Sequence, residues 1–193
     1  MFRKCLAVSA LAAVAVLVTA PARAATETFD LDVAHTYPSF EINHLGFSVM
    51  RGAFTATTGT LSYDEQSHMG SVKAIIDVAS ISTGFAKRDE HLRSKDFFNA
   101  EKFPTMTFSA ENFMLEAGKP VTVAGSLTLL GVTKPVSLSV QATQCGKRMG
   151  QDYVCGAIVS TTIKRSEWGM NTYVPYIGDE VKIQVEVEAI KKP

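Results

Sequence analysis

The feature that most constrains this chain is an apolar residue at every second position, repeated in segment after segment. Near the C-terminus Val181, Ile183, Val185, Val187 and Ala189 alternate with Lys182, Gln184, Glu186 and Glu188. Val136, Leu138, Val140 and Ala142 alternate with Ser137, Ser139 and Gln141. Val121, Val123, Gly125, Leu127 and Leu129 share one face, and Val72, Ala74, Ile76 and Val78 share another. A period of two places successive side chains on opposite faces, so each segment is a strand with one apolar and one wet side. Antiparallel sheets carry this alternation, whereas buried parallel strands read as continuous apolar runs. Turn signals separate the strands at 64–67, Gly118-Lys119-Pro120, Gly131 to Pro135, Gly146 to Asp152 and Gly178-Asp179. The pattern predicts about eight strands and one helix over Phe85 to Lys95. Strands in such number must have their edges managed, and closure into a barrel does this most completely. The expected fold is therefore all-β, an eight-stranded antiparallel barrel with a short helical segment at its rim. A barrel of that size is either filled by side chains or holds one small ligand. Small residues at presumed inward positions (Ala74, Gly125, Ala142, Ala157, Ala189) leave room, and phenylalanines from facing strands could fill it. The pattern alone leaves both states open.

The first 24 residues read as a secretory leader. Arg3 and Lys4 open it, Leu6 to Val18 is an apolar run, and Ala22-Arg23-Ala24 is an A-x-A cleavage site before Ala25. The run is 13 residues long, short of the ~20 that a spanning helix needs. Residues 25–193 then form a single domain, large enough for its own core. Loss of Arg3, Lys4 and Arg23 from the 19 Lys+Arg leaves 16 against 19 Asp+Glu. A slightly acidic domain has no electrostatic footprint for nucleic acid. Cys5 leaves with the leader, so Cys145 and Cys155 remain as an even pair in an oxidising compartment. They flank GKRMGQDYV, rich in turn residues, and read as a disulfide stapling the end of a hairpin. The expected location is periplasmic or secreted.

Motifs for chemistry are sparse. The four histidines, His35, His44, His68 and His91, show neither H-x-x-x-H nor H-E-x-x-H spacing, and no Cys/His cluster is present, so no metal site is expected. G-x-S-x-G, S-x-x-K, P-loop and dinucleotide fingerprints are also missing from the sequence. No carboxylate falls on an apolar strand face, where burial would raise its pKa.

The segment Arg88 to Phe108, RDEHLRSKDFFNAEKFPTMTF, carries most of the functional signal. A dense run of mixed charge ends abruptly in Phe97-Phe98, which places the segment at a rim, charges wet and rings packed inward. Arg88 and Arg93 flank Asp89 and His91, and Arg165 precedes Trp168. Guanidinium groups there suit a phosphate or carboxylate head, and the alternative is Arg–Asp pairing that locks the helix to the rim.

This segment resembles the D-x-H-L-x-S-x-D-F-F and Y/F-P-x-I/M-x-F signature of the YceI-like family of periplasmic lipid-binding proteins. Further resemblances fall in the family's order. They are Asp32-Val33-Ala34-His35-Thr36, Phe40 to Gly46 (F-x-x-x-H-L-G), Gly52-Ala53-Phe54, Gly125-Ser126-Leu127-Thr128 with Gly131 to Pro135, and Arg165 to Met170. The resemblance implies a hollow, lipocalin-like barrel that sequesters or transfers one long apolar amphiphile without bond chemistry. The implied ligand is a polyisoprenoid, such as an isoprenoid quinone or prenyl phosphate, with a fatty-acid derivative as alternative. No cofactor is required beyond such a bound lipid or quinone, and a membrane surface is a candidate source of it. The candidate ligand-binding residues are His35, Phe40, His44, Phe54, Arg88, Asp89, His91, Phe97, Phe98, Arg165 and Trp168. The competing reading is an enzyme or metal-dependent redox protein on the same barrel. Oligomeric state is left open.

Overall fold

The structure, a computed structural model, describes residues 26–193 apart from positions 65, 117 and 151 and the side chain of Ala142. The expected leader lies outside the described residues. The strands are β1 (Glu27–Leu31), β2 (Tyr37–His44), β3 (Ser48–Phe54), β4 (Thr57–Asp64), β5 (Met69–Asp77), β6 (Ile81–Ser82), β7 (Thr105–Met114), β8 (Val121–Leu129), β9 (Val132–Arg148), β10 (Asp152–Lys164) and β11 (Ile177–Lys191). One α-helix, α1 (Ala86–Arg93), and two 3-10 turns, Val78–Ser80 and Arg165–Trp168, complete the described elements.

Eight of these strands form the closed antiparallel barrel, in the order β1-β4-β5-β7-β8-β9-β10-β11, with β1 returning to β11. The closing register pairs Phe29 with Lys191 and Leu31 with Ala189. The strand total exceeds the expected eight because the first barrel edge is broken. β11 is long enough to pair with β1 at its C-terminal end and with β2 along its first half, where Val185 faces Pro38 and Ile177 faces His44. β2 then turns into β3, and β3 pairs with the two-residue β6, a flap continuing past the barrel.

Helix α1 is shorter than the predicted Phe85–Lys95. Phe85 and Ser94 are its extended boundary residues. The helix is charged almost all round, so it has little apolar face to dock with. Leu92 packs on the core beneath, and the buried Asp89 carboxylate anchors it by accepting the backbone N–H of Thr83 at 2.9 Å and the Thr83 hydroxyl.

The core is densest at the α1 end, where Phe54, Ile76, Val78, Ile81, Met106, Leu129, Trp168 and Met170 form one buried cluster. Phe29, Leu31 and Ala189 pack the opposite end. Cys145 and Cys155 are bonded and lie directly opposite each other on β9 and β10. The strands run further than their turn-rich composition suggests, to Arg148 and Asp152. Met149 (φ 45) and Gly150 (φ 84) make the reversal, both in the left-handed conformation that tight hairpins need.

Loss of the disulfide, in a Cys145→Ser/Cys155→Ser variant, should lower stability by roughly 2–3 kcal/mol on the chain-entropy account. Ligand binding should survive, because the staple sits at the end remote from α1. Thiol titration of the unreduced protein should find no reactive thiol; finding both cysteines free would overturn the assignment.

Candidate ligand cavity

The inward faces of the barrel strands do not meet. They enclose a cavity of about 460 Å³, within the ~300–1,000 Å³ usual for small-ligand sites. Its wall takes Val136, Leu138 and Val140 from β9, Val159 and Ile163 from β10, and Val181, Ile183, Val185 and Val187 from β11. These are the apolar members of the period-two pattern. No carboxylate lies among the described lining residues, and the lining cations stand at the α1 end.

The small residues divide between the two uses considered. Ala74 and Ala157 face the cavity. Gly125 instead makes room for Phe108, whose ring would lie 2.4 Å from an added Cβ, and Gly70 and Gly52 do the same for Phe113 and Phe40. Ala189 is fully buried beside Phe29 and lines nothing. The register between β9 and β10 shifts between Gly156 and Ile158. That irregularity interrupts the alternation between Val140 and Thr143, both of which line the wall; the Ala142 side chain lies outside those described. The hydroxyls of Thr143 and Thr57 are buried there without a hydrogen-bond partner.

Of the sequence candidates, the structure brings Phe40, His44, Phe54, Arg88, His91, Phe97, Phe98 and Arg165 to the cavity wall. Phe98 stands edge-on to Phe54 at 5.3 Å, and Phe54 is tilted against Phe40 at 6.1 Å, so three rings form one side of the wall. His91 is edge-on to Phe97 at 5.0 Å and faces Asp96 at 3.5 Å. Arg88 donates from Nε to the Thr83 hydroxyl (2.7 Å) and from Nη2 to the Thr83 carbonyl (2.7 Å), leaving Nη1 against the Met50 sulfur at 3.4 Å. Among the described residues no carboxylate pairs with it. The helix is thus locked through Thr83, which Arg88 and Asp89 share, and not by a direct Arg–Asp pair.

Arg165 borders the cavity but spends its donors elsewhere. It is 3% exposed and donates to the carbonyls of Gly178, Met170, Thr172 and Ile177 at 2.8–3.1 Å, tying down the 169–178 loop. Burial pushes its pKa down, opposed by the nearby Asp179. Asp89 and Trp168 do not reach the cavity. Trp168 is buried in the wall, with its indole N–H donating to the Leu127 carbonyl at 3.2 Å.

His35 is also away from the cavity, in an ionic network that fastens the β1–β2 junction. Its Nδ1 lies 2.9 Å from Asp32, and Arg148 Nη1 reaches both Asp32 (2.8 Å) and Glu188 (3.1 Å). Ligand atoms of Asp32, His35 and Glu188 lie within 4.8 Å of one another. The Arg148 guanidinium already supplies their counter-charge. The Arg148 hydrogen bond, then that of His35, holds the Asp32 carboxyl down at about 2.

Sequence reasoning missed several wall residues: Met50, Thr83, Leu92, Met170 and Tyr173. Thr83 was detectable only as a polar residue before a charged helix. Tyr173 sits in an irregular loop with φ 61, where no periodicity reports its orientation.

The YceI-like domain model matches residues 29–189. A UPF0312 protein of Photorhabdus laumondii is 35% identical over 172 residues, covering 89% of both chains. The chain belongs to the YceI-like family. Among solved structures, the Campylobacter jejuni YceI protein superposes with a TM-score of 0.70 at 28% identity, over 78% of this chain and 90% of that one. A polyisoprenoid binding domain from Saccharophagus degradans shares the fold, with a TM-score of 0.64 at 15% identity over 85% and 98% of the two chains.

Two expectations follow. Ala74→Phe should reduce lipid loading more than it reduces folding stability, because its ring enters open space. A loss of ~1–3 kcal/mol by overpacking with loading unchanged would show that the position is packed. The second concerns acid. The Asp32 pKa is lowered from 3.8 to about 2, so the network stabilises fully above the unfolded value and loses that contribution as pH falls from about 4 toward 2. The contribution should be about 1–2 kcal/mol after allowing for partly exposed partners. Denaturant titrations should show that Asp32→Asn removes this part of the slope; an unchanged slope would refute it.

Proposed function

We propose that this protein binds one long apolar amphiphile in its barrel, a polyisoprenoid such as an isoprenoid quinone or prenyl phosphate, and carries it in the periplasm. The observation that carries the reading is the cavity, an apolar wall with no lining carboxylate and with its cations gathered at one end. That polarity matches a ligand with a long hydrocarbon tail and one polar head. The Saccharophagus domain of the same fold is described as polyisoprenoid binding, which favours a branched isoprenoid tail over a fatty-acid chain. The leader-like N-terminus and the Cys145–Cys155 bond support export to an oxidising compartment. An enzyme would need convergent polar groups in the interior, and the deep wall offers threonine hydroxyls and little else.

Energetics define the mechanism as exchange between apolar phases. Burying tail from water is worth ~0.8 kcal/mol per methylene, so several isoprene units would reach roughly 20 kcal/mol, near the ceiling for non-covalent affinity. The tail starts in a membrane, however, and gains little by moving to an equally apolar barrel. Head-group contacts and cavity shape then decide which lipid is taken.

Arg88 is the head-group candidate, since its Nη1 donates only to a thioether and its guanidinium is otherwise set over the Phe85 ring. For an anionic head, Arg88→Ala should weaken binding by roughly 1.5–3 kcal/mol, the range for a charge-assisted hydrogen bond. For a neutral quinone, Arg88→Ala should do little and Phe98→Ala should do more. Native mass spectrometry of protein taken from its own periplasm, with extraction of bound lipid, identifies the head and tail. Wild-type loading in both variants would show the segment to be structural only.

A further inference from the structure

The geometry points to the cavity mouth as a membrane-docking face, where the β2–β3 turn and the loop before β11 insert exposed apolar side chains into a lipid bilayer. This rests on the lipid-binding reading above and names the surface that would serve it. Phe47 is 90% exposed and Tyr176 71%, with Leu45, Val49, Phe85 and Tyr173 also among the exposed large hydrophobics. They occupy three segments that also supply His44, Met50, Arg88 and Ile177 to the cavity wall. Single exposed apolar residues are ordinary, but a contiguous group marks an interaction surface. Elsewhere the exposed hydrophobics are scattered, as with Met149 on the remote β9–β10 hairpin.

The turn is held in its outward pose. Leu45 (φ 56) and Gly46 (φ 75) are both left-handed, and Phe47 N–H donates to the His44 carbonyl at 3.0 Å. Gly46 N–H donates to the Asn43 side chain at 2.9 Å, and Leu45 N–H donates to the Tyr176 carbonyl at 2.9 Å, joining turn and loop. Phenylalanine and leucine at the tip with tyrosines beside them suit the depth profile of a bilayer interface, where amphipathic rings settle at head-group level.

Two observations choose the bilayer as occupant. A second copy seated here would cap the opening through which a lipid must pass, whereas a bilayer supplies that lipid without exposing its tail to water. Two of the basic groups near the mouth pair within the protein, Arg51 with Glu41 at 2.7 Å and His91 with Asp96 at 3.5 Å, and the Arg88 guanidinium is turned onto Thr83 and Met50. The exposed apolar side chains should themselves suffice for docking on zwitterionic lipid.

The test uses the chain from Ala25, because the Leu6 to Val18 run would bind vesicles by itself and every barrel strand lies beyond it. The protein should cosediment with phosphatidylcholine vesicles. Phe47→Asp combined with Tyr176→Ser should cut the bound fraction by about tenfold, slow uptake of undecaprenol from those vesicles, and leave loading of undecaprenol added from ethanol unchanged. Met149→Asp, the same charge at the other end, should leave cosedimentation at the wild-type level. Equal vesicle binding by wild type and the double variant would overturn the docking face, as would wild type that loads from ethanol yet never cosediments. A double variant that turns a dimer into a monomer in sedimentation velocity, with vesicle binding unchanged, would assign the patch to a second copy and overturn it as well. Wild type that docks through this face but takes up no undecaprenol from either source would overturn the ligand reading, while the docking face would stand on the cosedimentation.

Discussion

Everything in this structure depends on the short ladder that joins β1 to β11. Three register pairs, from Phe29–Lys191 to Leu31–Ala189, convert a long sheet with two edges into a closed barrel. Closure removes the unpaired edge groups that would otherwise template aggregation. It also defines an inside, and only then does the period-two pattern become a continuous apolar wall. The ladder is short because β1 stops at Leu31 and β2 takes over the remaining length of β11. The junction is therefore a weak point in the hydrogen-bonded girdle, and the sequence reinforces it. Thr36 donates its hydroxyl to the Glu188 carbonyl and accepts the Glu188 N–H, in place of the missing strand partner. Asp32, His35, Arg148 and Glu188 fasten the same corner from outside the cavity.

A closed wall need not enclose empty space, and the sizes of the inward residues explain why this one does. Where a glycine faces a phenylalanine, as at Gly125 and Phe108, the ring occupies the space over the glycine and the wall stays thin. Where alanines face the interior, as at Ala74 and Ala157, each contributes only a methyl group to the wall. Near the α1 end the wall is aromatic, with Phe54 in contact with both Phe40 and Phe98. Side chains bordering an unfilled apolar space forgo dispersion contacts on that side. A hydrocarbon tail restores those contacts, so an apolar ligand completes the packing that a filled barrel would have had by itself.

The fold was legible because alternation reports which side of a strand is dry. It says nothing about how far the dry sides stand apart, so the choice between filled and hollow stayed open at the sequence level. The same limit explains the misplaced details. Thr143 would fall on the wet side of an unbroken alternation from Val136, yet the β9–β10 irregularity brings it to the wall. Asp89 sits beside Arg88 in the chain, but helical geometry turns its carboxylate to Thr83. Arg165 and Trp168 occur in one motif, and both are consumed by the framework, one by four loop carbonyls and the other by the Leu127 carbonyl. Spacing along the chain identifies such residues as special without telling whether they serve ligand or frame. That distinction comes only from tertiary contacts.

The division of polarity along the barrel axis has a consequence for selectivity. The deep wall is aliphatic and aromatic, with buried threonine hydroxyls that lack partners. Such a surface distinguishes tails by length and girth, because each methylene it accommodates is like the next. For a buried polar head it offers little beyond the hydroxyls of Thr57 and Thr143, so it has few groups with which to prefer one head over another. On the lipid-binding reading proposed above, discrimination by head group falls to the α1 end, where Arg88, His44, His91 and Tyr173 line the cavity. Residues on the wall and residues at the mouth can therefore change independently. If the barrel holds the proposed amphiphile, substitutions along β9, β10 and β11 would alter the tail that fits, while substitutions near Thr83–Asp89 would alter the head recognised, with the closing ladder left untouched by either.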